Sequence, residues 1–233
     1  MNAPNPPAIS FHNLTLGYGR HKVIQNLNAT IPRGALLAVA GANGSGKSTL
    51  FKTLAGELRP LGGSFRLHGF GARDLAYLPQ RLTLEQNFPL NVQDCVAMGL
   101  WQQIGAFGAV SLIQQHRIES ALAAVGLADR RYAPLSSLSG GQMQRILFAR
   151  LLLQDAPVIL LDEPFNAVDE QTISALLALV RHWHQQGRTV LAVLHDWQRV
   201  SSHFPDVLWL ENGTGFLAKT TERFRPRPAR QVA

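Results

Sequence analysis

Short, continuous apolar runs alternate with longer amphipathic segments in the second half of the chain. The apolar runs cover residues 158–161, 189–194 and 207–210, and helical periodicity spans residues 142–153 and 171–186. A strand that is buried on both faces has few polar positions, and such strands occur in parallel sheets covered by helices. The alternation therefore predicts a mainly parallel sheet with helices on both faces.

The first half of the chain has a different pattern. Short β-like runs at residues 9–11 and 23–24 are separated by glycine- and proline-containing turns, and a buried strand is predicted at residues 35–40. This pattern predicts a small antiparallel sheet ahead of that buried strand. Further strands are predicted at residues 63–67 and 75–78.

Between the two halves, the pattern becomes helical from about residue 80 to residue 135. Helices are predicted over residues 92–100 and 113–125. We expect this segment to form a helical subdomain inserted into the α/β fold, at about residues 81–140.

A glycine-rich turn joins the predicted strand at residues 35–40 to a helical pattern, and it matches G-x-x-x-x-G-K-[ST] at every fixed position. Such a turn points backbone N–H groups and a helix start at an anion. Lys47 adds a positive charge for the β- and γ-phosphates, and the Ser48 hydroxyl is a predicted Mg²⁺ ligand. The predicted nucleotide-binding residues of this loop are Gly41, Ala42, Asn43, Gly44, Ser45, Gly46, Lys47, Ser48 and Thr49.

Two carboxylates end the apolar run at residues 158–161. Side chains alternate along a strand, so Asp162 and Glu163 point in different directions and can have different roles. Asp162 is the predicted Mg²⁺ residue, and Glu163 is the candidate general base for the attacking water. The alternative is a solvated strand end without chemistry, but paired acids are unfavourable next to a buried sheet.

A second glycine-containing helix start lies between the first loop and these acids. Gly140 and Gly141 precede the amphipathic segment at residues 142–153, so bare N–H groups and the positive end of a helix dipole face any approaching anion. The first loop already serves the nucleotide of its own chain. The second helix start therefore fits a nucleotide held by a partner, which predicts a head-to-tail dimer.

Length and composition are compatible with one large domain or a domain with an insert. The chain has 233 residues, 46% of them hydrophobic, which is enough for a substantial core. We expect no membrane span, because no apolar stretch reaches 18 residues. The single cysteine, Cys95, excludes an internal disulfide, fits a reducing cytoplasm and is expected to be buried.

The formal net charge of +7 is typical of proteins that bind nucleic acid. No DNA- or RNA-binding motif accompanies the charge, so we do not expect nucleic acid as a partner. Positive charge is concentrated in residues 219–233, a Pro/Arg segment expected to be a disordered tail, either solvated or held against anionic lipid. Residues 1–7 are expected to be a disordered lead-in without the features of a secretory signal.

The chain has eight histidines, and only His195 follows a predicted strand at the phosphate edge of the sheet. His182 and His184 are two positions apart on a predicted helix and so point to different faces. We therefore expect no bound transition metal in this chain.

Over about residues 8–218 the chain resembles the ATP-binding subunits of ABC (ATP-binding cassette) transporters. The resemblance implies an α/β fold with a P-loop NTPase (RecA-like) core, an N-terminal antiparallel β subdomain and the inserted helical subdomain. It implies hydrolysis of ATP, with Mg²⁺ as cofactor, by a homodimer in the ATP-bound state.

The resemblance also assigns roles to single residues. Tyr18 matches the aromatic residue that stacks on adenine, Gln80 the glutamine that joins the Mg²⁺ shell and senses the membrane partner, and His195 the histidine that contacts the γ-phosphate. Asp169 belongs to the loop after the catalytic glutamate. The signature motif that reaches the partner's nucleotide corresponds to Ser139, Gly140, Gly141 and Gln142.

The segments at residues 88–99 and 165–169, with Phe107, resemble those of zinc/manganese importers among the bacterial ABC ATPases. Iron-chelate, haem and cobalamin importers have similar segments and remain alternatives, as do an exporter and a soluble ABC-type ATPase acting on nucleic acid. The implied partners are integral membrane permease subunits and an extracytoplasmic substrate-binding protein, and the implied location is the cytoplasmic face of the inner membrane.

Apolar residues of the helical segment are candidates either for a permease-binding groove or for the core of the subdomain itself. They are Phe88, Leu90, Val92, Met98 and Trp101.

Overall fold

The computed structural model describes residues 5–80, 90–105, 108–166 and 168–220. Within these residues the strands are β1 (Pro7–Tyr18), β2 (His21–Pro32), β3 (Leu36–Gly41), β4 (Gly62–Leu67), β5 (Leu75–Leu78), β6 (Val158–Asp162), β7 (Thr189–Val193), β8 (Asp206–Glu211) and β9 (Thr214–Lys219). The helices are α1 (Lys47–Leu54), α2 (Val92–Ala97), α3 (Trp101–Ile104), α4 (Leu112–Ala124), α5 (Gly140–Gln154), α6 (Glu170–Gln185) and α7 (Trp197–His203). Short 3₁₀ turns cover Ala72–Asp74, Met98–Leu100, Ala128–Arg130 and Leu135–Ser137.

The chain divides into two compact units. The first unit comprises Met1–Gln80, Pro157–Glu163 and Trp183–Ala233, and the second comprises Arg81–Ala156 and Pro164–His182. The second unit includes α5 and most of α6.

A six-stranded sheet with the order β5-β6-β7-β3-β8-β9 forms the centre of the first unit. Neighbouring strands from β5 to β8 are parallel, and β9 pairs antiparallel with β8. Every residue of β6 and β7 is buried, as expected for strands that are covered on both faces. The predicted mainly parallel sheet is confirmed.

The N-terminal antiparallel sheet has the order β2-β1-β4, so the strand predicted at residues 63–67 joins it. The core of the first unit combines residues of this sheet, of α1 and of the parallel sheet. Phe11, Phe51 and Leu160 are examples, one from each element, and all are almost completely buried. Burying a side chain of this size stabilises the fold by about 1.5–3 kcal/mol.

In the second unit, α2, α4 and α5 each begin with a polar side chain that caps the helix start. Asn91 accepts a hydrogen bond from the backbone N–H of Asp94, and Ser111 and Ser139 form capping boxes with the glutamine three residues later. Cys95 is fully buried in this unit, as expected.

The helix predicted over residues 92–100 is interrupted. It ends at Ala97 and continues as a 3₁₀ turn over Met98–Leu100, in which Gly99 lies against the backbone of α5. A Cβ atom at Gly99 would come 2.3 Å from the Arg150 carbonyl oxygen, which leaves no space for a side chain.

The apolar candidates at residues 88–101 do not form one exposed patch. Val92 is fully buried and belongs to the core, whereas Trp101 is 60% exposed. Phe88 and Phe107 lie outside the described residues, as do Ala167 and residues 221–233 of the predicted tail. In the described part of the chain, no helix has the length and apolarity needed to cross a bilayer.

Candidate functional site

A cavity of about 690 Å³ opens in the first unit, where β3 and β6 end. It is lined by Tyr18, Val23, Asn43, Gly44, Gly46, Lys47, Ser48, Thr49, Gln80, Glu163 and His195. The sequence pointed to all of these residues except Val23, which lies on β2. Tyr18 is 50% exposed at the end of β1, so its ring is accessible at the edge of the cavity.

The glycine-rich loop needs a glycine at position 46 for two reasons. Gly46 has a φ of 98°, which is left-handed, and a Cβ atom there would lie 2.7 Å from Ile24 Cγ1. Gly46 is also the N-cap of α1, so no side chain satisfies the first N–H groups of that helix. Free N–H groups at a helix start are a binding site for anions such as phosphate.

Lys47 supplies a buried cation to this loop. Its side chain is 5% exposed, and Nζ donates hydrogen bonds to the carbonyl oxygens of Gly41 and Ala42, at 3.0 and 2.9 Å. Burial lowers the pKa of Lys47, and the nearby carboxylates of Glu163 and Asp162 partly oppose that shift. A buried cation whose hydrogen bonds go to neutral carbonyls gains from an anionic ligand.

Asp162 and Ser48 form an oxygen-donor pair beside Lys47. Ser48 Oγ donates a hydrogen bond to Asp162 Oδ1 at 3.2 Å, and Asp162 is 2% exposed. Burial raises the pKa of Asp162, and the Ser48 hydrogen bond partly offsets it. A buried carboxylate next to a hydroxyl is the hard oxygen ligand set that Mg²⁺ prefers, so these residues fit a magnesium ion.

Glu163 follows β6 in an uncommon backbone conformation. Its φ is 52°, and the other non-glycine residues with positive φ in the described chain are asparagine or aspartate, which tolerate that region better. The cost of such a conformation is on the order of 1–3 kcal/mol. The turn directs Glu163 away from Asp162 and into the cavity.

Both carboxylate oxygens of Glu163 have side-chain partners. His195 Nε2 lies 2.6 Å from Oε1, and Gln80 Nε2 donates to Oε2 at 2.7 Å. The three side chains come from the ends of three neighbouring strands, β5, β6 and β7. The structure thus brings together three residues that are far apart in sequence.

The signature residues lie in the second unit, at the exposed start of α5. Ser139 Oγ accepts a hydrogen bond from the Gln142 N–H at 3.2 Å, and Gln142 Oε1 accepts one from the Ser139 N–H at 3.0 Å. This capping box explains the Ser-x-x-Gln spacing and fixes the helix start. Gly140 and Gly141 leave the first turn without bulky side chains.

Asp169 lies beside this helix start. A Cβ atom at Gly141 would be 3.5 Å from Asp169 Oδ2. Asp169 accepts hydrogen bonds from the N–H and the Oγ1 hydroxyl of Thr172, both at 2.8 Å, and these bonds lower the pKa of Asp169. No motif or periodicity in the sequence pointed to Thr172.

The ABC transporter family profile matches residues 24–166. The chain belongs to the ABC transporter family. This ABC subunit hydrolyses ATP, as the family domain and its ATP-binding relatives indicate, and such subunits work with membrane permease components. The fold and the enzyme class expected from the sequence are confirmed.

Two curated relatives are metal-transport ATPases. The subunit is 35% identical over 206 residues to the manganese transport system ATP-binding protein MntB of Bacillus subtilis (strain 168), covering 87% of this chain and 82% of that protein. It is 38% identical over 207 residues to the zinc transport system ATP-binding protein TroB of Treponema pallidum (strain Nichols), covering 87% and 78%.

A solved structure described as a metal-chelate type ABC transporter, in an inward-facing conformation, superimposes with a TM-score of 0.81 at 31% identity. The match covers 92% of this subunit and 84% of that chain.

Proposed function

We propose that this ABC subunit binds ATP with Mg²⁺ in the cavity of the first unit, hydrolyses it with Glu163 as general base, and thereby drives import of zinc or manganese. The observation that carries the proposal is the position of Glu163, which lies in the same cavity as Lys47 and Ser48 and is oriented through both carboxylate oxygens.

Each residue of the cavity would have a defined task. The N–H groups at the start of α1 and the Lys47 cation would hold the phosphates, and Tyr18 would stack on the adenine. Ser48, Asp162 and Gln80 would hold Mg²⁺. When bound, Mg²⁺ neutralises part of the negative charge on the phosphate oxygens.

Glu163 would take the proton of the attacking water onto its carboxylate. His195 contacts Oε1 of Glu163 and would orient that carboxylate, and because it lines the same cavity it would also contact the terminal phosphate. General-base assistance of this kind is worth about 10²–10⁴-fold in rate.

We propose further that the active form is a head-to-tail homodimer. The exposed start of α5, with Ser139, Gly140, Gly141 and Gln142, would complete the phosphate site of the other copy, and Asp169 would support that helix start. The exposure of Ser139 and Gly140 supports this assignment, because an interface residue must be accessible in the single chain.

The metal cargo is proposed from the manganese and zinc relatives and the metal-chelate type transporter. In this proposal, residues 8–218 form the ATPase domain and the helical subdomain at about residues 81–140 binds the permease. The permease subunits would receive metal from an extracytoplasmic binding protein, and the ATPase would lie on the cytoplasmic face of the inner membrane.

Uptake of radioactive Mn²⁺ and Zn²⁺ by cells tests the cargo. We expect cells lacking this subunit to lose uptake of one of the two metals, and the wild-type chain to restore it. Glu163→Gln should not restore uptake, whereas Glu211→Gln, the same change at an exposed carboxylate of the first unit, should. Normal Mn²⁺ and Zn²⁺ uptake combined with lost uptake of an iron chelate, haem or cobalamin would refute the proposed cargo.

A further inference from the structure

Tyr77 lies next to the proposed metal site but has no task in the proposed function. It is on β5, three residues before Gln80. In the parallel pairing of β5 with β6, Tyr77 is opposite Leu160, and Asp162 is two residues further along β6. Because side chains two residues apart lie on one face of a strand, Tyr77 and Asp162 are on the same face of the sheet.

Helix α1 covers this face of the sheet and fixes the Tyr77 ring. Ser48 and Phe51 are three positions apart on α1 and so lie on one side of the helix. Ser48 donates to Asp162, and Phe51 meets the Tyr77 ring edge to face, with centroids 6.5 Å apart and planes at 82°. The ring is therefore held in place by packing, with Asp162 and Tyr77 both adjacent to α1.

The Tyr77 hydroxyl is a buried donor. Among the described residues, no hydrogen bond of ordinary geometry satisfies Oη, although the atom is withdrawn from solvent. Burial raises the pKa of Tyr77, and the Asp162 charge together with a weaker hydrogen-bonding interaction with that carboxylate raises it further. A phenol, whose ordinary pKa is about 10, is protonated at neutral pH and can donate its proton to a hydrogen bond.

We propose that Tyr77 is a positioning residue for the magnesium site, whose O–H donates to the Asp162 carboxylate and holds it in the orientation that binds the metal. A carboxylate accepts at several lone-pair positions, so Asp162 can serve Ser48, Tyr77 and a metal together. Outer partners that orient a metal ligand typically contribute 10–100-fold to metal affinity. The inference rests on the proposed function, because it assumes that Asp162 is the Mg²⁺ residue.

The test measures how tightly the full chain, with ADP present, binds Mn²⁺ as a probe for Mg²⁺. Electron paramagnetic resonance gives the concentration of free Mn²⁺ in the titration. Tyr77→Phe keeps the ring that packs on Phe51 and removes only the hydroxyl. We expect the Kd for Mn²⁺ to rise about tenfold. ADP affinity without divalent metal and the thermal midpoint should not fall. Tyr132→Phe, which removes an exposed phenol hydroxyl in the second unit, should bind Mn²⁺ like the wild type.

A wild-type Mn²⁺ affinity for Tyr77→Phe would overturn the inference. If the thermal midpoint also fell, the hydroxyl would have a packing role instead. Asp162→Asn separates this inference from the proposed function. If Asp162→Asn weakens Mn²⁺ binding and Tyr77→Phe does not, the inference alone is wrong. If Asp162→Asn also binds Mn²⁺ normally, the proposed magnesium site is wrong as well.

Discussion

The two units of the chain present their polar groups in opposite ways. In the first unit two charged residues of the nucleotide site, Lys47 and Asp162, are withdrawn from solvent, at 5% and 2% exposed. In the second unit Ser139 is exposed, and its hydrogen bonds with Gln142 serve its own helix start. Charges withdrawn from solvent interact more strongly with a phosphate than exposed ones do. The exposed start of α5 is accessible to another molecule, as the proposed dimer requires.

The two units also differ in formal charge. The first unit has 15 basic and 8 acidic side chains and thus carries the whole net charge of +7, whereas the second unit has 7 of each. A positive field favours the approach of an anionic nucleotide to the first unit. The second unit contributes N–H groups at a helix start instead of net charge.

The largest effect is expected from Glu163→Gln in the first unit. The amide keeps the shape of the side chain but cannot accept the proton of the attacking water, so turnover should fall by about 10²–10⁴-fold. Nucleotide affinity should remain within a few-fold of the wild type. Steady-state phosphate release and calorimetric ATP binding measure the two quantities. Turnover close to the wild-type rate would show that Glu163 is not the base.

Ser139→Arg tests the second unit. The bulky cation should block the helix start from a partner's nucleotide, so turnover should fall by about 10²-fold or more while the monomer still binds ATP. Ser111→Arg is a matched control, because Ser111 caps α4 with the same Ser-x-x-Gln box. If both variants lose activity equally, the effect is due to loss of a helix cap and the shared-site idea fails.

A smaller effect is expected from Gly46→Ala. The added methyl group would clash with Ile24 and strain a left-handed backbone, so the free energy of unfolding should fall by about 1–3 kcal/mol and nucleotide binding should weaken. Gly19→Ala is the control, since Gly19 also has a positive φ but has open space around it. Denaturant unfolding gives the free energy of unfolding of both variants. An equal loss of stability in the two would mean that backbone strain, and not the clash with Ile24, causes the effect.

The smallest expected effect concerns Asp169 and pH. Its pKa is lowered in the folded chain by the Thr172 hydrogen bonds, so the ionised carboxylate stabilises the fold above its ordinary pKa of about 4. This contribution is lost as the pH falls through the lowered folded-state value. We expect the thermal midpoint of Asp169→Asn to lie below that of the wild type near neutral pH and to approach it in acid. A constant difference across that range would contradict this linkage.

The nucleotide loop and the paired acids could be predicted because each is a local pattern. The conformation of Gly46 is required by a short motif, and Asp162 and Glu163 are neighbours at the end of a buried strand. Val23 and Tyr77 could not be found in this way. Their positions at the site arise from contacts between β2 and the loop and between β5 and α1, which no sequence periodicity records.

Two elements of the first unit were not predicted, for different reasons. Helix α7 is seven residues long and buries one residue, Val200, so it has no apolar periodicity. Strand β9 has no buried residue, and four of its six residues are exposed. Its hairpin with β8 turns at Asn212 and Gly213, both with positive φ. The Asn-Gly pair is a strong hairpin signal and could have revealed β9.

The most direct test of the account is the mass of Glu163→Gln in solution with saturating Mg²⁺ and ATP, measured by sedimentation. The account predicts a dimer with ATP, a monomer without nucleotide, and a monomer again when Ser139→Arg is added to the same chain. A Glu163→Gln chain that binds ATP and stays monomeric would contradict the claim that the first unit of one copy is completed by the second unit of another.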